Sequence, residues 1–231
     1  MHNSTQNTKI HQSPSLVKSA REYIRRLSPS IFIFMKAVYI FALHIISRGR
    51  WKKILKQDMI KLNLGSGPSK GENGWTNVDL FGADINHDLT NGVPLAEDSV
   101  DMVYSSHVFE HIPYQDLLGV IGEIRRVLKP GGTLLVCVPN AGLYLKAYFN
   151  NEMFVSYDEM FIPAAVNTGS GIDQVNYIAY LNGDHTFMFD EENIINILKK
   201  CEFTNVDFRT FDPLIDRSER DFESMYVKAS K

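Results

Sequence analysis

The hydrophobic pattern divides this 231-residue chain into one apolar stretch near its start and a long alternating body. From residue 60 onward, short apolar runs alternate with segments of helical spacing. Strands are expected at 60–64, 76–80, 83–85, 100–104, 133–138, 206–211 and 224–229. Over 116–128, Leu117, Leu118, Ile121, Ile124, Val127 and Leu128 recur at helical spacing. Lys129-Pro130-Gly131-Gly132 supplies a breaker and φ-permissive glycines to stop that helix. A further helix is expected over 191–200, with Asp190 as N-cap and Lys199 and Lys200 at the negative end of its dipole. This alternation predicts an α/β fold: a doubly wound, mostly parallel seven-stranded sheet preceded by an N-terminal helical arm.

Residues 139–189 break the alternation. They are rich in Asn, Gly and aromatic residues, including Tyr144, Tyr148, Phe149, Tyr157, Tyr177, Tyr180 and Phe187. A long irregular stretch after a strand's carboxyl end reads as a lid or substrate loop, with most of its aromatics packing the insertion itself. The expected organisation is a tail and arm over 1–57, then one domain over 58–231 with this insertion.

Charge sharpens the division. Residues 1–57 hold 11 Lys and Arg against one acid, Glu22; residues 58–231 hold 13 basic and 26 acidic residues, a charge of −13. So acidic a body is a poor nucleic-acid binder, because phosphate neutralisation needs clustered cations; the basic arm could bind RNA but has a better explanation, and no nucleic-acid partner is expected. Residues 1–20 are polar and expected to be flexible. Residues 31–46 are apolar apart from Lys36 and His44, with Arg25 and Arg26 before them and Arg48, Arg50, Lys52 and Lys53 after. Three readings stay open: a helix lying in a membrane interface over 31–53, a helix packed on the body or a second subunit, and a short span. Cys137 and Cys201 are too scattered for a disulfide framework or zinc spacing and read as structural thiols. The expected location is the cytoplasm, with contact to the inner face of a membrane if the arm binds one.

Candidate chemistry begins where the first strand ends. Gly65-Ser66-Gly67 lets a ligand approach the main chain, and Asp79, at the end of the next strand, is placed to grip a ribose diol. Together they point to a nucleoside-bearing ligand. His107, His111 and His185 fall at strand or loop ends, where an imidazole can move protons near neutrality; His107 and His185 are the candidate bases. His107, Glu110 and His111 have helical spacing but lack a further ligand, so no metal is expected.

Five segments resemble class I S-adenosylmethionine-dependent methyltransferases: 62–68 (LNLGSGP), 77–80 (NVDL), 98–111 (DSVDMVYSSHVFEH), 126–132 (RVLKPGG) and 138–140 (VPN). Within that superfamily the chain looks closest to small methyltransferases associated with bacterial cell-surface glycan synthesis. The resemblance implies S-adenosyl-L-methionine as cofactor, with the Gly65-Ser66-Gly67 turn facing its amino-acid part, Asp79 its ribose, and Pro68 and Leu80 also among the cofactor-binding residues. It further implies that Asp88 and Leu89 hold the adenine and that Ser105 and His107 lie beside the methyl. The implied reaction is O-methylation of a small molecule or glycan intermediate; the alternative is a module that binds the cofactor or its product without turnover. One departure stands out: only residues 68–75, including Pro68, Gly71 and Gly74, are available for the helix such proteins place between strands one and two. That shortening disfavours a dinucleotide cofactor, whose pyrophosphate needs a helix N-terminus. Tyr104-Ser105-Ser106-His107 also lacks the Asn/Asp-Pro-Pro-aromatic arrangement of adenine-specific nucleic-acid methyltransferases.

Overall fold

The computed structural model describes residues 29–157, 160 and 165–231. The flexible tail expected over 1–20, the cations Arg25 and Arg26, and the side chains of Lys36 and His44 lie outside the described residues. In chain order the elements are α1 (Pro29–Ile54), β1 (Lys61–Leu64), β2 (Trp75–Asp79), β3 (Ile85–Asn86), β4 (Val100–Ser106) and α2 (Tyr114–Val127). There follow β5 (Leu128–Pro139), α3 (Ala141–Phe149), α4 (Ile172–Tyr180), α5 (Glu191–Lys200), β6 (Thr204–Arg209) and β7 (Ser224–Ser230).

The strands form one sheet in the order β3-β2-β1-β4-β5-β7-β6. Pairings are parallel from β3 through β5, and β7 runs antiparallel between β5 and β6. The central strands are apolar because both faces are covered. Leu62, Leu64, Val100, Val103, Leu134 and Val136 share one core with Leu117, Ile121 and Ile124 of α2 and Ile194 and Leu198 of α5. α5 starts at a capping box in which the Asp190 carboxylate accepts from the Asn193 amide and Asn193 answers at the Asp190 amide.

Several boundaries differ from the sequence reading: β3 lies at Ile85–Asn86 rather than 83–85, β6 at Thr204–Arg209 rather than 206–211, and the starts of α2 and β5 also move. α2 begins at Tyr114, where the carbonyl of Pro113 accepts from the Asp116 and Leu117 amides. β5 begins at Leu128, five residues early: Leu128 pairs with Val100, and after a register shift Thr133 pairs with Met102. The Lys129–Gly132 segment therefore acts as an irregularity within the strand as well as a stop to the helix.

The chain divides into two compact units at Ala42 and Leu43. In the first, the helical residues Phe34, Val38 and Phe41 expose their side chains. In the second, the last turns of α1 belong to the core: Trp51 is 4% exposed and Ile54 is buried. The Trp51 ring meets the His87 ring edge-on at 5.5 Å, and the Ser47 hydroxyl donates to the Asn86 carbonyl at 2.6 Å. No helix among the described residues is long and apolar enough to cross a membrane. The insertion after β5 has its own small core around Tyr144, Val155, Met160, Tyr177 and Ile178.

Burial on this scale makes the end of α1 part of the domain's stability. Trp51→Ala is expected to lower unfolding free energy by ~3–5 kcal/mol, whereas Phe41→Ala, at a residue 68% exposed, should change it by less than ~0.5 kcal/mol. Urea midpoints of the two variants check this.

Candidate functional site

β1 delivers the chain to a left-handed turn, with φ +75° at Gly65 and +71° at Gly67. The Gly65 amide donates to the Val78 carbonyl at 2.7 Å, so the turn hangs from β2. A Cβ on Gly65 would stand 2.1 Å from Val108 Cγ2, whereas one on Gly67 would meet nothing within 4 Å. Gly65 is therefore required by packing, and the space beside Gly67 is open to a ligand. Asp79, at the end of β2, accepts from the Gly67 amide at 2.9 Å through Oδ2. Residues 65–74 contain no helix. Their conformation is held by Asp84, whose Oδ2 accepts from the amides of Gly71 and Asn77 at 2.7 and 3.0 Å.

These groups open onto a polar cavity of ≈ 160 Å³ at the carboxyl ends of β1, β2 and β4. Gly65, Ser66, Gly67, Asp79 and His107 all line it, so five of the residues read from sequence come together. The remaining six lie outside its lining. Ser105 is buried and donates to the Leu64 carbonyl at 3.2 Å, bracing β4 against β1. Pro68 packs against Gly82, and Leu80 is exposed. Asp88 caps a 3-10 turn by accepting from the Thr90 amide and hydroxyl, and the Leu89 side chain packs into the main core. His185 lies in a neighbouring cluster with Glu110 and His111.

Arg217 and Arg220 complete the cavity wall and were missed in the sequence. They sit in the connection between β6 and β7, where no hydrophobic period marks an element. The available signal was topological: a final antiparallel hairpin returns its turn to the carboxyl edge of the sheet. Ser224 indeed pairs with Pro139, the last residue of β5. Behind the wall, Arg209 makes a two-pronged ion pair with the buried Asp216, which also accepts from the Tyr104 hydroxyl at 3.0 Å and the Asp212 amide at 2.8 Å.

His107 takes φ +52°, a conformation costly for a side-chain-bearing residue and tolerated where the surroundings enforce it. Its Nε2 lies 2.7 Å from the Ser224 hydroxyl, which donates to the Arg220 carbonyl at 2.6 Å. Nε2 therefore carries the proton, and Nδ1, 3.6 Å from Glu110 Oε1, does not. Burial, reinforced by Arg220, drives the His107 pKa down to about 3, and burial pushes Glu110 up to about 8. The two groups thus lie side by side in their neutral forms, without a hydrogen bond between them. Burial also lowers the pKa of His185.

Residues 55–136 match the family model described as a methyltransferase domain. A 65-residue stretch is 40% identical to an uncharacterised methyltransferase of Mycobacterium bovis, covering 28% of this chain and 24% of that protein. A 57-residue stretch is 42% identical to a probable S-adenosylmethionine-dependent methyltransferase of Mycolicibacterium smegmatis, covering 25% and 21%. The chain thus spans about a quarter of the length of the curated relatives it matches. Among solved structures, a SAM-dependent methyltransferase from Archaeoglobus fulgidus superposes with a TM-score of 0.49 at 15% identity, over 82% of this chain and 94% of that one. Phosphoethanolamine N-methyltransferase 2 of Haemonchus contortus gives 0.45 at 15% identity, over 79% and 52%.

Two outcomes follow from this geometry. Gly65→Ala meets both the Val108 methyls and its positive φ, so it should destabilise the fold by ~2–4 kcal/mol; Gly67→Ala meets only the φ penalty of ~1 kcal/mol. Thermal melts of the pair test that order. The folded pKa of His107 lies below its ordinary value of 6.5, so its stabilising contribution is complete above pH 6.5 and is lost as pH falls toward 3. In His107→Asn, which tolerates the left-handed backbone, urea midpoints should fall less steeply between pH 6.5 and 4.

Proposed function

We propose that this chain is an S-adenosylmethionine-dependent methyltransferase acting on an oxygen of a small molecule or glycan intermediate. The observation that carries the reading is the cavity where the Gly65–Gly67 turn, Asp79 and His107 converge at the carboxyl ends of three parallel strands. The match of residues 55–136, which include this turn and both strand ends, supports it. When bound, the cofactor supplies a methyl group already activated on a sulfonium. The chain's own part is binding and alignment. The open face of Gly67 admits the ligand to the main chain, and Asp79 takes the ribose hydroxyls. Arg217 and Arg220 offer a carboxylate two cations. His107, held neutral by burial, sets no positive charge against a sulfonium. The insertion over 139–189 supplies the acceptor side; it contains a cavity of ≈ 470 Å³ lined by Tyr148, Met153 and Tyr157 among others.

A membrane-proximal, lipid-linked acceptor accounts for the arm, whose exposed apolar residues are followed by Arg48, Arg50, Lys52 and Lys53. Because Trp51 and Ile54 are in the core, the arm is best removed at Ala42. The full chain should float with anionic vesicles and the truncated chain should not; identical flotation refutes this part.

Calorimetry decides the cofactor. The full chain should bind S-adenosylmethionine and S-adenosylhomocysteine one to one, with Asp79→Ala at least ~10-fold weaker through loss of charge-assisted hydrogen bonds. No heat with either ligand, or unchanged affinity in the variant, would overturn the reading.

A further inference from the structure

Beside the cavity, the chain after β4 and the chain before α5 are tied together. The Glu110 carbonyl accepts from the Thr186 and Phe187 amides at 2.8 and 3.2 Å. This closure brings Glu110, His111 and His185 to one place, across more than 70 residues of sequence. One donor atom from each lies within 4.8 Å of the others.

The orientation of each ring is fixed from behind. His111 Nδ1 bonds to the Asp184 carbonyl at 2.8 Å, and His185 Nδ1 bonds to the Ile178 carbonyl at 2.7 Å. A carbonyl only accepts, so both Nδ1 atoms carry the proton and both Nε2 atoms present lone pairs. His111 Nε2 stands 3.8 Å from Glu110 Oε1. Glu110 is 1% exposed, and neither carboxylate oxygen makes a hydrogen bond. Three acceptors thus converge beside a buried carboxyl that makes no hydrogen bond, and a single carboxyl proton would satisfy at most one of them. Burying such a group unpartnered is costly, and a cation is the partner that answers all three at once.

The geometry points to a site for a divalent first-row transition metal, of the zinc(II) class, held by Glu110, His111 Nε2 and His185 Nε2. Two imidazoles and one carboxylate favour such a borderline ion over magnesium or calcium, which take oxygen ligands. Imidazoles backed by carbonyls are the usual second layer of such a site. With bonds of ~2.1 Å, tetrahedral donors stand ~3.4 Å apart, so donors that lie within 4.8 Å of one another draw together by up to about an ångström or a little more on binding. Three protein donors leave at least one coordination position for water or another oxygen. The site that the spacing of His107, Glu110 and His111 left short of a ligand gains one from a distant segment, and His107 becomes its neighbour on the cavity side. The cation would clamp the exit of β4, which carries His107, to the entrance of α5.

The test uses the untagged full-length chain, stripped with a chelator and assayed without any methyl donor. Titration with ZnCl2 should give one-to-one binding heat, and CoCl2 should give a visible absorption band of low-coordinate cobalt(II). His111→Ala alters an exposed side chain and should leave the circular dichroism spectrum unchanged. It should weaken binding by at least ~100-fold, as should His185→Ala. Absence of heat and of a cobalt band in the unaltered chain overturns the site. So does undiminished affinity in His111→Ala, which would place the ion on other histidines such as His2 or His11. Because binding is read without cofactor, failure here leaves the methyltransferase reading standing.

Discussion

The site depends on one close approach, that of the Gly65 backbone to the methyl groups of Val108. β1 and β4 are neighbours in the sheet, yet the chain leaves β1 toward β2 and β3 before crossing back to β4. At such a reversal the two exits diverge and leave a crevice above the carboxyl ends. Here the exits touch before they diverge, because Gly65 has no side chain and Val108 fills the space. The left-handed turns at Gly65 and His107 lie on either side of that contact. Val108 is flanked in the chain by the left-handed His107 and by the 3-10 turn carrying Glu110 and His111.

Much of this was legible in the chain. The α5 boundaries and its Asp190 cap follow from a capping residue, an apolar face and terminal lysines, all local signals. The lack of a helix after β1 was readable from Pro68, Gly71 and Gly74. The start of β5 was obscured because Pro130 and two glycines look like a stop, while the backbone still pairs through Leu128 before its register shifts. Trp51 and Ile54 were assigned to the arm because charge and hydropathy run on without a break. Only tertiary packing separates them from Phe41. Arg217 and Arg220 carried no periodic signal. His185 illustrates the same limit: its neighbours Glu110 and His111 are set by long-range backbone bonds that no spacing encodes.

The electrostatic design concentrates unlike charges in small volumes. The body carries −13 in formal charge, yet the cavity wall presents Arg217 and Arg220 together with Asp79. Behind them Asp216 is buried with partners at both oxygens, so Arg209 and Tyr104 fix the loop that holds the two arginines. Within a domain of net negative charge, the wall thus sets two guanidinium groups beside one carboxylate.

The antiparallel insertion of β7 between β5 and β6 also sets an order of assembly. Ser66 and Arg217, whose groups meet at 3.5 Å across the cavity, are separated by 151 positions. During synthesis the first five strands can pair while the sixth and seventh are still being made, but the crevice then has only one wall. Closing it requires contacts of long sequence range, which form against a large loss of chain entropy. A chain ending after β6 would hold the five parallel strands β1–β5 but lack Arg217 and Arg220, so the cavity wall is completed only by the segment leading into β7.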